Sequence, residues 1–213
     1  MQGWGLGGFS SLPAHGLAAL AVFVLYAIEA EIRFGARARS SSAGAWDRRS
    51  TTALKLAATI PMLGFVLAMK GARWSGTVAL PSWLVDPASI PGMPVAAWIG
   101  VALAACGVLV RLWALLTLRH RYTRTLLVGD DHPFERGGPY RFVRHPGYLG
   151  SLLFLDGLAL SSGNAVTLVA SVVVTFAAYA YRIRSEDAML VAAFGEEYVA
   201  YRREVPALIP FIG

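Results

Sequence analysis

Apolar residues along this chain fall into five runs separated by charged or turn-forming stretches. The first covers about residues 13–34, the second about 52–69 and the third about 94–118. A short fourth run, 148–160, is followed by a fifth from about 164 to 181. At about 1.5 Å of rise per residue, a bilayer span needs roughly 20 apolar residues. The third run has that length with room to tilt, and the fourth falls short alone. Ser161, Ser162, Gly163 and Asn164 give a tight-turn signal that pairs the last two runs as a helical hairpin. Beyond residue 181 the pattern turns from continuous to periodic. Leu190, Phe194, Tyr198 and Tyr201 recur at helical spacing among charges, and Gly195 interrupts them. The predicted fold is an all-α integral membrane protein with about five transmembrane helices, a C-terminal helical hairpin and a cytoplasmic amphipathic helical extension.

Composition agrees with a membrane class: 56% of residues are hydrophobic and the mean hydropathy is +0.54. The basic residues then orient the spans. Arg33, Arg37, Arg39, Arg48, Arg49 and Lys55 cluster after the first run. Arg119, Arg121, Arg124, Arg136, Arg141 and Arg144 lie between the third and fourth, and Arg182, Arg184, Arg202 and Arg203 follow the fifth. The other connections carry only Lys70 and Arg73. Five spans with the N-terminus outside put all three clusters in the cytoplasm, as the positive-inside rule requires. Topology thus accounts for the net charge of +6 without a basic groove, and no nucleic-acid partner is predicted.

Smaller signals refine this. The opening Met1-Gln2-Gly3-Trp4 lacks the basic n-region of a signal peptide, so the first run is expected to be retained. Cys106, the sole cysteine, lies mid-run in the third segment and reads as a packing residue. His15, His120, His132 and His145 lack metal-ligand spacing, and no metal is predicted. Two regions follow: residues 1–118 hold the first three helices, and 119–213 hold the chemistry.

The chemistry concentrates at the entry to the fourth run. Residues 137–150 carry two prolines and four glycines beside Arg141, Arg144 and His145. Irregular backbone and cations at a membrane entry are costly unless they line a polar cavity, so a binding site is predicted there. Arg111, Asp156, Glu29 and Glu31 are ionisable groups inside or beside the runs. Either they line a polar pocket, or Arg111 snorkels and pairs with Glu29 or Asp156 to hold helices together. Arg182 and Glu186 stand four residues apart on one helical face. An ordinary surface pair there is worth only about 0.3–0.5 kcal/mol. Its place beside the Arg144-His145-Pro146 turn favours a role in the site.

Three blocks now stand in order: Gly138-Pro139-Tyr140 with Arg144-His145-Pro146-Gly147-Tyr148; Arg182 with Glu186-Asp187; and Phe194-Gly195-Glu196-Glu197-Tyr198 running to Val205-Pro206 and Ile209-Pro210-Phe211. Over about residues 118–213 the chain resembles the isoprenylcysteine carboxyl methyltransferase family of integral membrane enzymes. The resemblance implies S-adenosyl-L-methionine-dependent methyl transfer at the cytoplasmic membrane face, to a lipophilic acceptor such as an isoprenylcysteine-like carboxylate. It implies cofactor contacts from His132, Pro133, Phe134, Glu135, Tyr140, His145, Pro146, Gly147, Tyr148 and Glu186. Arg182 matches the arginine assigned to substrate and is the catalytic candidate. Phe134 and Glu135 depart from the usual small and apolar residues, and Thr125 stands where a longer polar side chain is expected.

The roles then follow from charge. An acceptor carboxylate, with an ordinary pKa of about 3.3–4.3, is already ionised near neutrality and needs no general base. Arg182 is suited to clamp it bidentately. Glu186 is suited to accept hydrogen bonds from the cofactor's ammonium or ribose hydroxyls, and Tyr140 and Tyr148 offer aromatic faces to adenine or sulfonium. Arg144 could instead take the cofactor carboxylate. Tyr198 and Tyr201 are expected as interfacial anchors, and Glu196 and Glu197 on a solvated face or supporting a lid. Two alternatives remain open at this point: a membrane sterol-type NADPH reductase, and a non-enzymatic membrane scaffold.

Overall fold

A computed structural model describes residues 14–35, 47–71, 95–118 and 134–208. Five helices coincide with the five apolar runs: α1 (Ala14–Gly35), α2 (Asp47–Gly71), α3 (Val95–Leu118), α4 (Pro146–Ser161) and α5 (Ala165–Phe194). A 3-10 turn, Gly138–Arg141, precedes α4, and a last helix, α6 (Glu196–Glu204), follows α5. Two of these, α3 and α5, are long and apolar enough to cross a membrane by length and composition. In α1 and α2 the apolar stretches are shorter, Ala18–Ile28 and Thr52–Val66, and α4 has 16 residues. The outward faces carry large apolar side chains, with Leu116 69% and Val169 63% exposed. Surfaces of that kind suit lipid rather than water. With 30 residues, α5 spans about 45 Å, well beyond a hydrocarbon layer of about 30 Å.

The α3–α4 seam is the most extensive helix contact. Small residues make it possible. A Cβ added to Gly107 would strike the carbonyl of Gly150 and lie 2.5 Å from the nitrogen of Phe154. One added to Gly157 would lie 2.6 Å from both the nitrogen of Ala104 and the carbonyl of Gly100. The two backbones therefore touch, which is how helices gain dispersion energy where lipid offers no hydrophobic drive. Around the seam, Val101, Val108, Phe154, Leu155 and Leu158 pack with Val22 of α1, Phe65 of α2 and Tyr179 of α5. Tyr26 stacks on Phe154, ring centroids 3.9 Å apart.

Two of the intramembrane charges find partners among the described residues. Asp156 accepts hydrogen bonds from Ser171 at 2.6 Å and Thr175 at 3.2 Å, pinning α4 to α5. It does not pair with Arg111. Arg111 donates to the Ser151 hydroxyl and, at 3.2 Å, to the Gly147 carbonyl, with its guanidinium 4.9 Å from the Tyr26 ring centre. The side chains of Glu29 and Glu31 lie outside the described residues. Cys106 corrects another expectation: it is exposed on the outer face of α3, off the buried stripe of Ala97, Gly100, Ala104, Gly107 and Arg111.

The hairpin turn is as predicted. Asn164 caps α5 by accepting from the Thr167 N–H at 2.8 Å. Gly195, at φ +57°, ends α5 in a conformation that L side chains rarely adopt, and so turns α6 back along the molecule.

Candidate functional site

Pro146 is the first residue of α4, where its missing N–H costs nothing and its fixed φ starts the helix. His145 is therefore presented at the helix entry, and Tyr148 one turn inward. The C-terminal part of α5 lies against this turn. The Tyr148 hydroxyl donates to the Glu186 carboxylate and accepts from Arg182 Nε at 3.0 Å. Arg182 Nε and Glu186 Oε2 are themselves 4.0 Å apart. The His145 ring lies almost parallel to the Tyr148 ring, centroids 5.4 Å apart, with Nδ1 4.0 Å from Glu186 Oε1. Four predicted site side chains thus meet: His145, Tyr148, Arg182 and Glu186. Arg182 is buried, while the Glu186 side chain keeps 23% of its surface exposed. A Cβ added to Gly147 would meet nothing within 4 Å, so open space adjoins the turn.

A second group lies directly behind. Asp187 accepts from Arg144 Nη1 at 2.6 Å, from the Tyr198 hydroxyl at 2.6 Å, and pairs with His145 Nε2 at 3.1 Å. Arg202 Nε is 3.6 Å away. Burial pushes the Asp187 carboxyl up, but hydrogen bonds from His145 and Tyr198, the His145 charge and Arg144 outweigh it. The net effect holds this carboxyl well below the usual carboxylate range. The Tyr198 hydroxyl is raised well above its ordinary value, by burial first and then by its bond to Asp187.

The chain after α6 returns to the same turn. Pro206 and Ala207 carbonyls accept from the backbone N–H groups of Arg144 and His145, at 2.8 and 3.1 Å. Arg144 Nε also donates to the Val205 carbonyl at 2.8 Å. The guanidinium of Arg144 thus binds Asp187 through Nη1 and the returning tail through Nε.

Phe134, Glu135 and Tyr140 stand on the tail side of the turn. Phe134 packs edge-on against Phe194 and Tyr198 and tilted against Tyr201, with centroids 5.1 to 5.3 Å apart. Glu135 accepts from the Gly137 N–H at 2.8 Å, and the Tyr140 carbonyl accepts from the Tyr201 hydroxyl at 2.5 Å. Tyr198 and Tyr201 are only 2% and 4% exposed, so they are interior residues and not interfacial anchors. The Tyr201 hydroxyl is pushed up to about 12 by burial, against the opposing charges of Arg144 and Arg136. Glu197 meets Arg136 at 3.2 Å on an exposed face. His132, Pro133 and Thr125 lie outside the described residues. Among the described residues, no group of three His, Cys, Asp or Glu side chains is placed to hold a metal ion.

Sequence reasoning gave Asp187 a motif position but no task. Burial of Tyr198 and Tyr201 had a readable signal, since both continue the apolar stripe of Leu190 and Phe194.

Residues 98–192 match the model of the isoprenylcysteine carboxyl methyltransferase family. Protein-S-isoprenylcysteine O-methyltransferase B of Arabidopsis thaliana is 27% identical over 140 residues, covering 63% of this chain and 71% of the relative. The protein-S-isoprenylcysteine O-methyltransferase of Xenopus laevis is 28% identical over 142 residues, covering 63% of this chain and 49% of the relative. The fold is similar to a solved structure of the eukaryotic intramembrane Ras methyltransferase ICMT. That match has a TM-score of 0.57 and 23% identity, covering 74% of this chain and 52% of the solved one. The chain therefore spans about half the length of some relatives it matches and more of others. These relatives carry methyltransferase names, and they lend no support to the reductase or scaffold alternatives.

Proposed function

We propose that this chain, which belongs to the isoprenylcysteine carboxyl methyltransferase family through residues 98–192, is a membrane methyltransferase that uses S-adenosyl-L-methionine and methylates a lipophilic carboxylate of the prenylcysteine type. The observation that carries this reading is the joint of Arg182, Tyr148 and Glu186 at the entry to α4. It sets a cation suited to an acceptor carboxylate beside an anion suited to an amino-acid or ribose donor.

The residues present fit the cofactor. Open space at Gly147, the partly exposed Glu186 carboxylate and the paired rings of His145 and Tyr148 offer room, charge and an aromatic face. His145, Pro146, Gly147, Tyr148 and Glu186 would hold it. Tyr140, Glu135, Phe134, His132 and Pro133 would form the preceding wall, as the family's motif implies. When bound, S-adenosyl-L-methionine supplies a methyl group made electrophilic by its sulfonium.

The protein's own task is alignment. Arg182 is the cation offered to the acceptor carboxylate, with its Nε held by the Tyr148 hydroxyl. The carboxylate arrives ionised, so no residue has to remove a proton. Holding two reactants in line supplies up to about 7–11 kcal/mol in favourable cases. Five spans with the N-terminus outside set this site at the cytoplasmic face, open to cofactor from the cytosol and to acceptor from the bilayer.

The test uses the purified full chain, methyl-labelled cofactor and N-acetyl-S-farnesylcysteine, a prenylcysteine carboxylate with its amine blocked. The expected product is a base-labile methyl ester. Glu186→Ala should weaken S-adenosylhomocysteine binding by about tenfold or more, the loss of a charged hydrogen-bond partner. Arg182→Ala should lower turnover with cofactor affinity largely kept. No ester, together with no binding of S-adenosylhomocysteine, ends this reading.

A further inference from the structure

The second carboxylate of the α5 extension, Asp187, gathers four groups from two other parts of the chain. Arg144 and His145 come from the turn, and Tyr198 and Arg202 from α6. We propose that Asp187 is a positioning residue that fixes the His145 ring against Tyr148 and, by the same carboxylate, docks the C-terminal segment 196–208 onto the turn. This deepens the functional reading above and rests on it for the identity of the ligand.

The geometry makes one carboxylate answer for both tasks. Oδ1 takes His145 Nε2 and the Tyr198 hydroxyl, and Oδ2 takes Arg144. With Nε2 engaged, the ring cannot turn about its Cβ–Cγ bond without losing that bond, so Nδ1 stays directed to the Glu186 side. The ring face stays parallel to Tyr148. The docked tail then adds the Pro206 and Ala207 carbonyls to the N–H groups of Arg144 and His145. Both side chains of the Arg144–Asp187 pair are nearly closed off from solvent, at 10% and 8% exposed. Removing one charge from such a pair leaves its partner buried and uncompensated. Neutralising Asp187 therefore loosens the ring and the tail together.

Hydrogen exchange on the full chain in detergent, without ligand, tests the docking. Affinity for S-adenosylhomocysteine tests the positioning. In Asp187→Asn, amides of 196–207 should exchange at least about tenfold faster, as expected on breaking a buried charged hydrogen bond. Affinity for S-adenosylhomocysteine should fall by a similar factor, while kcat at saturating cofactor changes less than about threefold, because the acceptor clamp is untouched. Asp187→Glu, which keeps the charge, should recover part of both losses. Tyr198→Phe keeps the aromatic packing and removes one donor, so it remains informative if Asp187→Asn fails to fold. It should speed tail exchange by about threefold or more.

Parent-like exchange in Tyr198→Phe and Asp187→Asn would overturn the docking. Faster exchange with unchanged nucleotide affinity would overturn the positioning. If the parent binds no S-adenosylhomocysteine at all, the functional reading fails while the exchange comparison still decides the docking.

Discussion

At the scale of single residues, neighbours along α5 divide between two jobs. Glu186 faces the open side with its carboxylate partly exposed, and Asp187 faces inward among cations. Sequence motif alone could name the pair but not separate them, because their difference lies in burial and in what the tail brings back. The same holds for Arg144 and Arg182. Both are plausible carboxylate binders by charge, and the motif does not foretell that Arg144 holds Asp187 and the Val205 carbonyl while Arg182 Nε holds Tyr148.

Asp187 also gives an acid signature. Its native carboxyl titrates below the ordinary value of 3.8, so protonation is harder in the folded chain than in the unfolded one. The stability it contributes is therefore complete above about pH 4 and drains away as pH falls further. The charged and titratable groups that face it are Arg144 and His145 from the turn and Tyr198 and Arg202 from α6. The Tm of the parent should exceed that of Asp187→Asn at neutral pH, and the gap should narrow on acidification below about pH 4. A gap that stays constant into acid would contradict the assignment of this carboxylate.

At the scale of elements, two glycines of α4 have opposite surroundings. A Cβ on Gly150 would lie 2.6 Å from the Gly107 carbonyl, whereas one on Gly147 meets open space. Gly150→Val should therefore overpack the α3–α4 seam at a cost of about 1–3 kcal/mol, lowering Tm by roughly 2–12 °C. Gly147→Ala should leave Tm nearly unchanged but lower affinity for S-adenosylhomocysteine, since the added methyl occupies ligand space. Thermal melts and a binding titration on the two variants check both halves. The five helices were legible as apolar runs, and the break at Gly195 as a helix-poor residue in a periodic stripe. The seam was not, because Gly100, Ala104 and Gly107 count as unremarkable apolar filler until a second helix with Gly150 and Gly157 is laid across them. Asp156 is a similar case. Its partners Ser171 and Thr175 are far along the chain, and only the hairpin brings them within reach.

At the scale of the whole molecule, basic clusters alternate with charge-poor connections, and the proposed orientation follows from that alternation. Arg203 is exposed on α6, on the side that should face the cytosol. In an Arg203→Cys, Cys106→Ala chain, a membrane-impermeant maleimide should label sealed right-side-out vesicles only after they are opened. Labelling before opening would invert the topology.

One continuous rod, α5, runs from the apolar layer out past Arg182, Glu186 and Asp187 without interruption until Gly195. Those three charges are consequently locked in mutual register by helical geometry and translate as a single rigid comb. Any adjustment as reactants enter and products depart has to come from the pieces meeting that comb, the proline turn on one flank and the folded-back end on the other.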